Sequence, residues 1–520
     1  MAKFYLTTAI DYANGEPHHG HAYEKIGADA IARYQRQAGR QVHFLTGLDE
    51  HGQKVAQTAE ARGMAPQAFV DQIAAAFEAM WRRLEISFDQ FIRTTDAAHK
   101  RGVRDLIERI HQRSPDDFYE QTYEGWYCVG CELFKREGEI VDGRCVLHPT
   151  RELQWTQERN WFFRLTRYAD FLKKLFADRP EFLRPESRRN EILGLLEQGL
   201  EDISITRSRL AWAIPFPLVS SGGEAQGTWV WFDALPNYLT ATGYPDAGYE
   251  SRWPAQLHVI GNDITRLHCV VWPAMLEAAG LPLPEQVWAH GFVLLGGERF
   301  SKSSGVKLDL GEAIDRFGVD AFRYFLLREV PFDGDGNFSW ERFDERYTAD
   351  LANAFGNLAS RTVSMIEKYF DGVVPAAPHT AVDEADLSDL ADYHAAMDGS
   401  RGYLPNEALA ALWRTVARAN EHVQSSAPWA LAKDPARRDE LASVLATLAR
   451  QLARQAVCVA PFMPGKADEL WAQLGAPAAG LAAAGATPFA ALASLDAAGW
   501  RVTKGAALFP RPEPRAPDPA

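Results

Sequence analysis

The chain has 520 residues, a net charge of −14, 47% apolar residues and 24% charged residues, a composition that predicts a globular protein of several domains. The negative charge argues against nucleic-acid binding over the whole surface, although a local basic face is compatible with it. The sequence contains no apolar run of about 18 residues that would predict a membrane span, and its first residues lack a cleavable signal pattern. Five cysteines are too few for a disulfide framework, so we expect a cytoplasmic protein.

Strands and helices alternate at the beginning of the chain. Residues 4–10 are β-branched and aromatic and predict a buried strand, apolar residues at helical spacing follow as far as Gly39, and residues 42–46 predict the next strand. After an interruption, residues 257–260 and 287–295 predict further strands. This order predicts an α/β fold with a doubly wound parallel sheet, in which ligands bind beyond the carboxyl ends of the strands.

Two distant motifs carry the chemistry of a phosphate site. Pro17 to His21 reads Pro-His-His-Gly-His where a loop enters a helix, so backbone N–H groups and two imidazoles can meet an anion there. Ser301-Lys302-Ser303 places a lysine among small residues, and its ammonium group can stabilise charge on a leaving pyrophosphate. Each motif alone is also compatible with an ordinary surface loop.

A third motif has the spacing of a metal site. It reads Cys128-x2-Cys131-x13-Cys145-x2-His148, and three thiolates with one imidazole can close a tetrahedral site around Zn²⁺. Because all four positions are filled by protein, the motif predicts one structural zinc ion per chain. Cys269 and Cys458 stand alone and are expected to be buried apolar residues.

The two phosphate motifs together resemble the His-Ile-Gly-His and Lys-Met-Ser-Lys-Ser signatures of class I aminoacyl-tRNA synthetases. This chain differs from those signatures in having His19 in place of isoleucine and Arg299 in place of the leading lysine. Further segments resemble the methionyl-tRNA synthetases within the class. They are residues 9–15, 47–52, 230–238, 261–268 and 288–291, the zinc motif, and residues 357–361 and 427–429.

The resemblance implies a role for each matching residue. It implies catalysis by His18, His21 and Lys302. It implies ATP binding by His18, Gly20, His21, Asp263, Ser301, Lys302 and Ser303. It implies methionine binding by Ala9, Ile10, Tyr12, Asp49, Trp231, Ala234, Leu235, Tyr238, Ile264 and His268. It implies recognition of the CAU anticodon of tRNA(Met) by Asn357, Arg361 and Trp429, with ATP, Mg²⁺ and L-methionine as the other ligands.

The resemblance also divides the chain into six ranges. They are 1–119 for the first half of a Rossmann catalytic domain, 120–230 for a connective insertion with the zinc knuckle, 231–298 for the second half, 299–348 for the signature-loop and stem-contact region, 349–505 for an α-helical anticodon-binding domain, and 506–520 for a disordered tail. The stretch after the helical domain is too short for a dimerising barrel, so we expect a monomer.

Two residues depart from the family pattern without an explanation from the sequence, and two alternative functions remain open. Family members often have a lysine where this chain has Asn262, and Asp11 is unusual for the family. The alternatives are another class I synthetase, such as the Leu, Ile, Val or Cys enzymes, and a zinc-knuckle RNA-binding protein without catalysis. The first group has a larger editing insertion or a metal site near the amino acid, and the second does not account for the two phosphate motifs.

Overall fold

A computed structural model of the chain describes residues 2–129, 133–135, 137–146, 148–208, 210–295, 309–476, 481 and 489–511. The strands of these ranges are β1 (Lys3–Thr8), β2 (Asp11–Tyr12), β3 (Gln41–Asp49), β4 (Gln90–Arg93), β5 (Phe118–Cys128), β6 (Leu133–Phe134), β7 (Ile140–Val141), β8 (Arg144–Cys145), β9 (His148–Glu152), β10 (Gln154–Phe163), β11 (Leu183–Arg184), β12 (Ile203–Ser204), β13 (Thr206–Arg207), β14 (Gly227–Thr228), β15 (Leu257–Gly261), β16 (Gln286–His290), β17 (Val293–Leu295) and β18 (Gly336–Phe338).

The α-helices of the same ranges connect these strands and then form most of the C-terminal third. They are α1 (His19–Gln37), α2 (Gln53–Ala61), α3 (Pro66–Arg83), α4 (Ala97–Arg113), α5 (Ala169–Asp178), α6 (Glu186–Gln198), α7 (Val230–Ala234), α8 (Asn237–Thr240), α9 (Trp272–Ala279), α10 (Leu310–Phe317), α11 (Val319–Glu329), α12 (Trp340–Arg346), α13 (Asn357–Phe370), α14 (Ala381–Ala395), α15 (Pro405–Ser426), α16 (Pro428–Leu431), α17 (Arg438–Val459) and α18 (Pro464–Gln473).

The predicted parallel sheet is present and joins both halves of the chain. Its strand order is β11-β16-β15-β1-β3-β2, with β4 also paired to β3, and β1 lies between β3 and β15 with Leu6 opposite Leu257. β1 is buried on both faces, as expected of a central strand covered by helices. All the pairs are parallel, so the carboxyl ends of β1, β3, β15 and β16 meet at one edge.

The range predicted as the connective insertion contains two structural parts. β5 and β10 pair along ten residues each in antiparallel register and, with β6 and β12, form a separate four-stranded sheet. Leu183–Arg184, however, pairs with β16 at the edge of the main sheet. Residues 120–230 therefore include one strand of the catalytic sheet. This strand has only two residues, which are too few to form a recognisable sequence pattern.

The predicted helical domain is also present. Leu351, Phe355, Leu358 and Thr362 share one buried face, and so do Leu441, Leu445, Leu448 and Leu452 of α17. Both sets have the spacing of an amphipathic helix, so apolar periodicity predicted this part well. Among the described residues, no helix is both long and apolar enough to cross a membrane.

The prediction of a disordered tail from residue 506 is wrong for its first residues. Leu508 and Phe509 are buried, the Phe509 ring lies 6.2 Å from the Tyr347 ring, and the Tyr347 hydroxyl donates a hydrogen bond to the carbonyl of Pro510. The proline-rich composition prevents regular secondary structure there but does not prevent packing. Residues 512–520 lie outside the described ranges.

A buried carboxylate lies where the catalytic and helical parts meet, and it makes stability depend on pH. Asp320 of α11 accepts a hydrogen bond from the backbone N–H of Lys466 in α18, while its Oδ1 is buried without a partner among the described residues. Burial raises the pKa of Asp320 from 3.8 to about 7. Between these values the native state binds one more proton than the unfolded chain, so the free energy of unfolding falls with rising pH, by at most about 1.4 kcal/mol per pH unit.

Asp320→Asn is therefore expected to become more stabilising, relative to the unmodified chain, as the pH rises from about 5 to about 7.5. Urea unfolding at several pH values measures the difference. Asp315→Asn is the matched control, because the Asp315 side chain is 75% exposed and its partner Arg83 is 40% exposed. Parallel pH profiles for the unmodified chain and Asp320→Asn would contradict this account.

Candidate active site

The first phosphate motif forms the N-terminus of α1. His18 is the N-cap residue: its Nδ1 accepts a hydrogen bond from the Gly20 N–H, and the His18 N–H donates to Nδ1 of His21. The His18 and His21 rings stack with their centroids 3.6 Å apart. Because both Nδ1 atoms accept, each neutral imidazole carries its proton on Nε2 and can donate from there.

Gly20 allows this compact arrangement. A Cβ atom at residue 20 would lie 3.2 Å from Cε1 of His18, which is too close for the ring to keep its capping position unshifted. Burial and the charge of Lys25 lower the pKa of His21 to about 3. The helix N-terminus thus presents neutral N–H donors, which suit oxygens of an anion at a helix N-terminus.

Four side chains form what we call the aromatic pocket, namely Tyr12, Trp231, Tyr238 and His268. The Tyr12 and Trp231 rings meet edge to face at 5.8 Å, and the Trp231 and His268 rings do so at 6.3 Å. Nδ1 of His268 donates to the carbonyl of Ile264 (3.0 Å), because a carbonyl oxygen can only accept. Nε2 of the neutral ring therefore accepts a hydrogen bond from the Tyr238 hydroxyl (2.7 Å). Burial lowers the pKa of His268 to about 4, in keeping with a neutral ring.

The other residues assigned to amino-acid binding surround this pocket. Asp49 ends β3, is buried, and lies opposite Tyr12 in the register of β2 and β3. Ala9 follows β1, and its N–H donates to the carbonyl of Val259 in β15. Ile10 and Ile264 pack against the same core as Trp231 and Leu235, and Ala234 is buried in α7. The structure therefore brings these residues together at the carboxyl edge of the main sheet.

The second phosphate motif lies outside the described residues, which stop at Leu295 and resume at Asp309. Its position, and those of Ser301, Lys302 and Ser303, thus stay predictions. The strand before it, β17, lies beside α1, and the His19 ring hydrogen-bonds the backbone of Val293. Asp263, the remaining residue assigned to ATP, is exposed just after β15.

The zinc motif is described only in part. Cys128 and Cys145 are buried, and Cys145 is the register partner of His148 in the β8–β9 hairpin. Cys131 and the His148 side chain lie outside what the structure describes. Among the described residues no group of three metal-ligating side chains comes together, which leaves the four-residue motif untested. The burial of both thiols, on β5 and β8, fits a structural metal site.

Comparison with known proteins agrees with this geometry. The family model of "tRNA synthetases class I (M)" matches residues 4–148 and 136–363. The methionine–tRNA ligase of Caldanaerobacter subterraneus is 43% identical over 98% of this chain and 78% of its own length. That of Streptomyces coelicolor is 40% identical over 98% of this chain and 97% of its own length.

The chain belongs to the class I methionine–tRNA ligases. The Mycobacterium tuberculosis methionyl-tRNA synthetase in complex with methionyl-adenylate is a structural relative, with a TM-score of 0.91, 39% identity, and coverage of 98% of this chain and 100% of that one. The catalytic sheet and the helical C-terminal part are thus those of a methionine–tRNA ligase.

The three residues assigned to the anticodon in this methionine–tRNA ligase lie on one surface. Asn357 and Arg361 are four residues apart on α13 and so share a helix face. The Arg361 guanidinium lies 5.8 Å from the Trp429 ring centre, and Trp429 is 41% exposed. An exposed indole beside a guanidinium offers a flat surface on which an unpaired base can stack.

Sequence reasoning missed one buried network behind the pocket of this methionine–tRNA ligase. The Asp233 carboxylate accepts hydrogen bonds from Nδ1 of His51 (2.6 Å) and Nε2 of His99 (2.9 Å). It joins α7, which carries Trp231, to the segment after Asp49. His51 belongs to the segment 47–52 that carries the resemblance, and this histidine was the available sequence signal.

A second network accounts for the unusual Asp11. The Lys25 ammonium group is fully buried and donates to Asp11 (2.6 Å), Glu24 (2.7 Å) and the carbonyl of Ala9 (3.1 Å). Burial raises the pKa of Asp11, whereas Lys25 and His290 outweigh burial and lower the pKa of Glu24 to about 2. Asp11 thus supplies a counter-charge for a buried lysine in the helix that carries His21.

Proposed function

We propose that this methionine–tRNA ligase activates L-methionine with ATP, releasing pyrophosphate, and then transfers the methionyl group to the 3′ end of tRNA(Met). One observation carries the proposal: the His18–His21 donor pair, the aromatic pocket and the buried Asp49 lie next to one another at one edge of the main sheet.

The amino acid would occupy the aromatic pocket. Tyr12 and Trp231 would contact a thioether, which is soft and polarisable and packs well against aromatic rings. The buried carboxylate of Asp49 would pair with the substrate ammonium group, and the neutral His268–Tyr238 pair would close the far wall. The aromatic lining of this pocket disfavours small polar side chains.

Activation needs positioning and charge stabilisation more than proton transfer. The methionine carboxylate is already an anion when it attacks the α-phosphorus of ATP, so it needs no base. The Nε2–H groups of His18 and His21 would donate to phosphate oxygens without adding charge, Gly20 would admit the nucleotide close to the backbone, and Asp263 would contact ATP from the end of β15. Lys302, flanked by Ser301 and Ser303, would stabilise charge on the departing pyrophosphate. Mg²⁺ enters with ATP and supplies further neutralisation of the phosphates.

Methionine-dependent exchange of pyrophosphate into ATP tests the proposal. We expect exchange with methionine and at most weak exchange with the other nineteen amino acids. Stronger exchange with leucine, isoleucine, valine or cysteine would favour another class I synthetase, and no exchange with any amino acid would overturn the enzymatic function. We further propose a cytoplasmic location, where translation uses the product. The monomeric state stays a prediction, which sedimentation at micromolar concentration measures.

The anticodon surface gives a separate prediction. Trp429→Ala is expected to lower kcat/KM for aminoacylation of tRNA(Met) by about 10- to 100-fold, because stacking of one base on an aromatic ring contributes about 1–3 kcal/mol. Pyrophosphate exchange needs no tRNA and reports on the fold of the catalytic part. Trp429→Phe keeps a stacking ring and is expected to retain most of the activity. Equal losses for both variants would contradict stacking.

We also propose that Cys128, Cys131, Cys145 and His148 hold one structural zinc ion per chain. Elemental analysis of the purified protein measures it, and Cys145→Ser is expected to lose the metal. Cys269→Ala is the matched control, since Cys269 is buried elsewhere in the core and its loss should leave the zinc content unchanged. A metal-free unmodified protein, or zinc retained in Cys145→Ser, would contradict the assignment.

A further inference from the structure

Tyr238 of the aromatic pocket is held in place by two residues of the main sheet. The Tyr5 hydroxyl of β1 donates a hydrogen bond to the carbonyl of Tyr238 (2.8 Å). The ring of His258 in β15 lies 4.3 Å from the Tyr238 ring, with 34° between the two planes. Tyr238 belongs to α8, a helix of four residues, and a single helical turn has little stability of its own. The orientation of Tyr238 therefore depends on these contacts.

His258 is itself fixed by a neighbouring strand. Thr7 of β1 and His258 of β15 are register partners, and Oγ1 of Thr7 lies 2.7 Å from Nδ1 of His258. Both residues are fully buried. Because a hydroxyl can both donate and accept, this hydrogen bond forms with either neutral tautomer of the imidazole. The plane of the His258 ring is thus set by two adjacent strands in the centre of the sheet.

The second nitrogen of His258 shows what the histidine contributes. Burial and the nearby His268 lower the pKa of His258 well below 6.5, so the ring is neutral. Its Nε2 is buried and has no hydrogen-bond partner among the residues that the structure describes, which costs stability. A phenylalanine would fill the same space without that cost. The histidine differs from it by the hydrogen bond to Thr7, which fixes the ring that packs against Tyr238.

The other end of Tyr238 faces the substrate site. Its hydroxyl donates to Nε2 of His268 (2.7 Å), so Tyr238 connects the sheet residue His258 to a wall of the aromatic pocket. A tilt of the Tyr238 ring would change both this hydrogen bond and the aromatic surface that the substrate meets. A polarisable sulfur gains more from close contact with an aromatic ring than a methylene group does, so such a tilt costs a thioether more than a hydrocarbon.

We propose that His258 is a positioning residue of the methionine pocket: anchored by Thr7, it fixes the plane of the Tyr238 ring and thereby the preference for a thioether over a hydrocarbon side chain of the same length. This inference rests on the proposed function, because it requires methionine as the substrate of the pocket. Neither Thr7 nor His258 needs to touch the amino acid, since both act through Tyr238.

Pyrophosphate exchange with methionine and with norleucine, in which a methylene group replaces the sulfur, tests the inference. The selectivity ratio is kcat/KM for methionine divided by kcat/KM for norleucine. Thr7→Val keeps the shape of the side chain and removes its hydroxyl. It is expected to lower the ratio about 2- to 10-fold, the range for one contact between sulfur and an aromatic ring. The change should lie in KM for methionine and leave kcat nearly unchanged.

The selectivity ratio separates positioning from a general loss of structure, which lowers exchange with both amino acids in proportion. Thr8→Val is the matched control. The Thr8 side chain lies on the opposite face of β1, is also fully buried, and its hydroxyl bonds to that of Thr46 (2.9 Å). Thr8→Val should keep the unmodified ratio, and Thr7→Ser, which retains a hydroxyl, should recover it. An equal fall in Thr8→Val, or no recovery in Thr7→Ser, would overturn the inference.

His258→Phe tests whether Thr7 acts through the histidine. It keeps an aromatic ring beside Tyr238 but removes the hydrogen bond, so it is expected to lower the ratio by about the same factor as Thr7→Val. Adding Thr7→Val to His258→Phe should lower the ratio no further, as for two changes that remove one interaction. Losses that multiply in the double variant would contradict the inference. If Thr7→Val fails to fold, His258→Phe alone measures the same hydrogen bond.

The same assay separates failure of this inference from failure of the proposed function. If the unmodified chain shows methionine-dependent exchange and the ratio is unchanged in Thr7→Val and His258→Phe, the inference is wrong and the function stands. Equal use of methionine and norleucine by the unmodified chain would also overturn the inference, because there would be no preference to fix. Absence of exchange in the unmodified chain overturns the function itself.

Discussion

Lys302→Ala is expected to slow methionine-dependent pyrophosphate exchange by about 10²- to 10³-fold, the usual loss when one charge-stabilising group is removed from a transition state. The negative charge on the pyrophosphate grows as its bond to the α-phosphorus breaks, and the ammonium group of Lys302 is the cation that the second signature motif provides. Binding of methionine should persist, because the aromatic pocket and Asp49 are built from other segments of the chain. Stopped-flow measurement of adenylate formation, together with methionine binding at equilibrium, separates the two effects.

The matched control for this prediction is Lys307→Ala. It removes the same charge from the same stretch of sequence, five residues beyond Lys302. We expect exchange by Lys307→Ala to stay close to that of the unmodified chain. Near-normal exchange in Lys302→Ala would refute the role assigned to this lysine, and equal losses in both variants would assign the effect to net charge instead of a placed ammonium group.

The sequence predicted those parts of the fold that local patterns encode. β1 and β3 are short apolar runs, and the helices of the C-terminal part have apolar residues every three or four positions, so period and composition identify them. The donor pair of α1 was also predictable, because a His-x-Gly-His motif at the start of a helix directs its side chains to the helix N-terminus. The position of β17 was not predicted. The sequence predicted one strand over residues 287–295, but the strand breaks after His290, and β17 pairs with β18 outside the main sheet.

The buried ionic contacts were not predictable by the same means. Asp233 meets His51 across 182 residues and His99 across 134 residues, and no periodic pattern connects such partners. Lys25 looks like a surface lysine in the sequence of α1, yet its ammonium group is fully buried between two carboxylates. Pairwise charge compensation in a core depends on the tertiary arrangement, so Asp11 acquires a physical explanation only from the structure.

The packing of the residues after 506 was also not predictable from a local sequence pattern. A proline-rich, non-periodic stretch predicts the absence of helix and strand, and residues 506–511, the part of it that the structure describes, contain neither. Burial, however, depends on whether a cavity of the right shape exists elsewhere in the molecule. Tyr347 and Phe355 provide one for Phe509, and neither of them shares a sequence pattern with it.

Arg323→Met is expected to lower the free energy of unfolding by about 3 kcal/mol, as for loss of one partner of a buried ion pair. The side chains of Arg323 and Asp29 are both fully buried, with Nη2 of Arg323 2.6 Å from Oδ2 of Asp29. Arg323 also donates to the carbonyls of Leu84, Pro461 and Phe462. Asp29 keeps Arg33 as a partner, so the expected cost is at the low end for a buried pair.

The position of Arg323 gives this substitution a functional consequence as well. Its guanidinium joins α1, which carries the donor pair, to the turn between α17 and α18 of the helical domain. Arg342→Met is the matched control, because Arg342 is 43% exposed, its partner Glu345 is 67% exposed, and its other partner Glu329 keeps an ion pair with Arg346. Exposed pairs contribute about 0–1 kcal/mol. Guanidinium denaturation compares the midpoints of the two variants directly.

Loss of the Arg323 contacts between α1 and the helical domain should reduce aminoacylation of tRNA more than formation of the adenylate. Pyrophosphate exchange uses only groups of the catalytic part, whereas aminoacylation requires the anticodon surface and the active site to stay at a fixed separation while one tRNA contacts both. Arg323→Met is therefore expected to lose more aminoacylation than exchange at a temperature where it remains folded. Equal midpoints for the Arg323 and Arg342 variants would contradict the structural role of the buried pair, and proportional losses of both activities would show that the Arg323 contacts do not set the distance between the two surfaces.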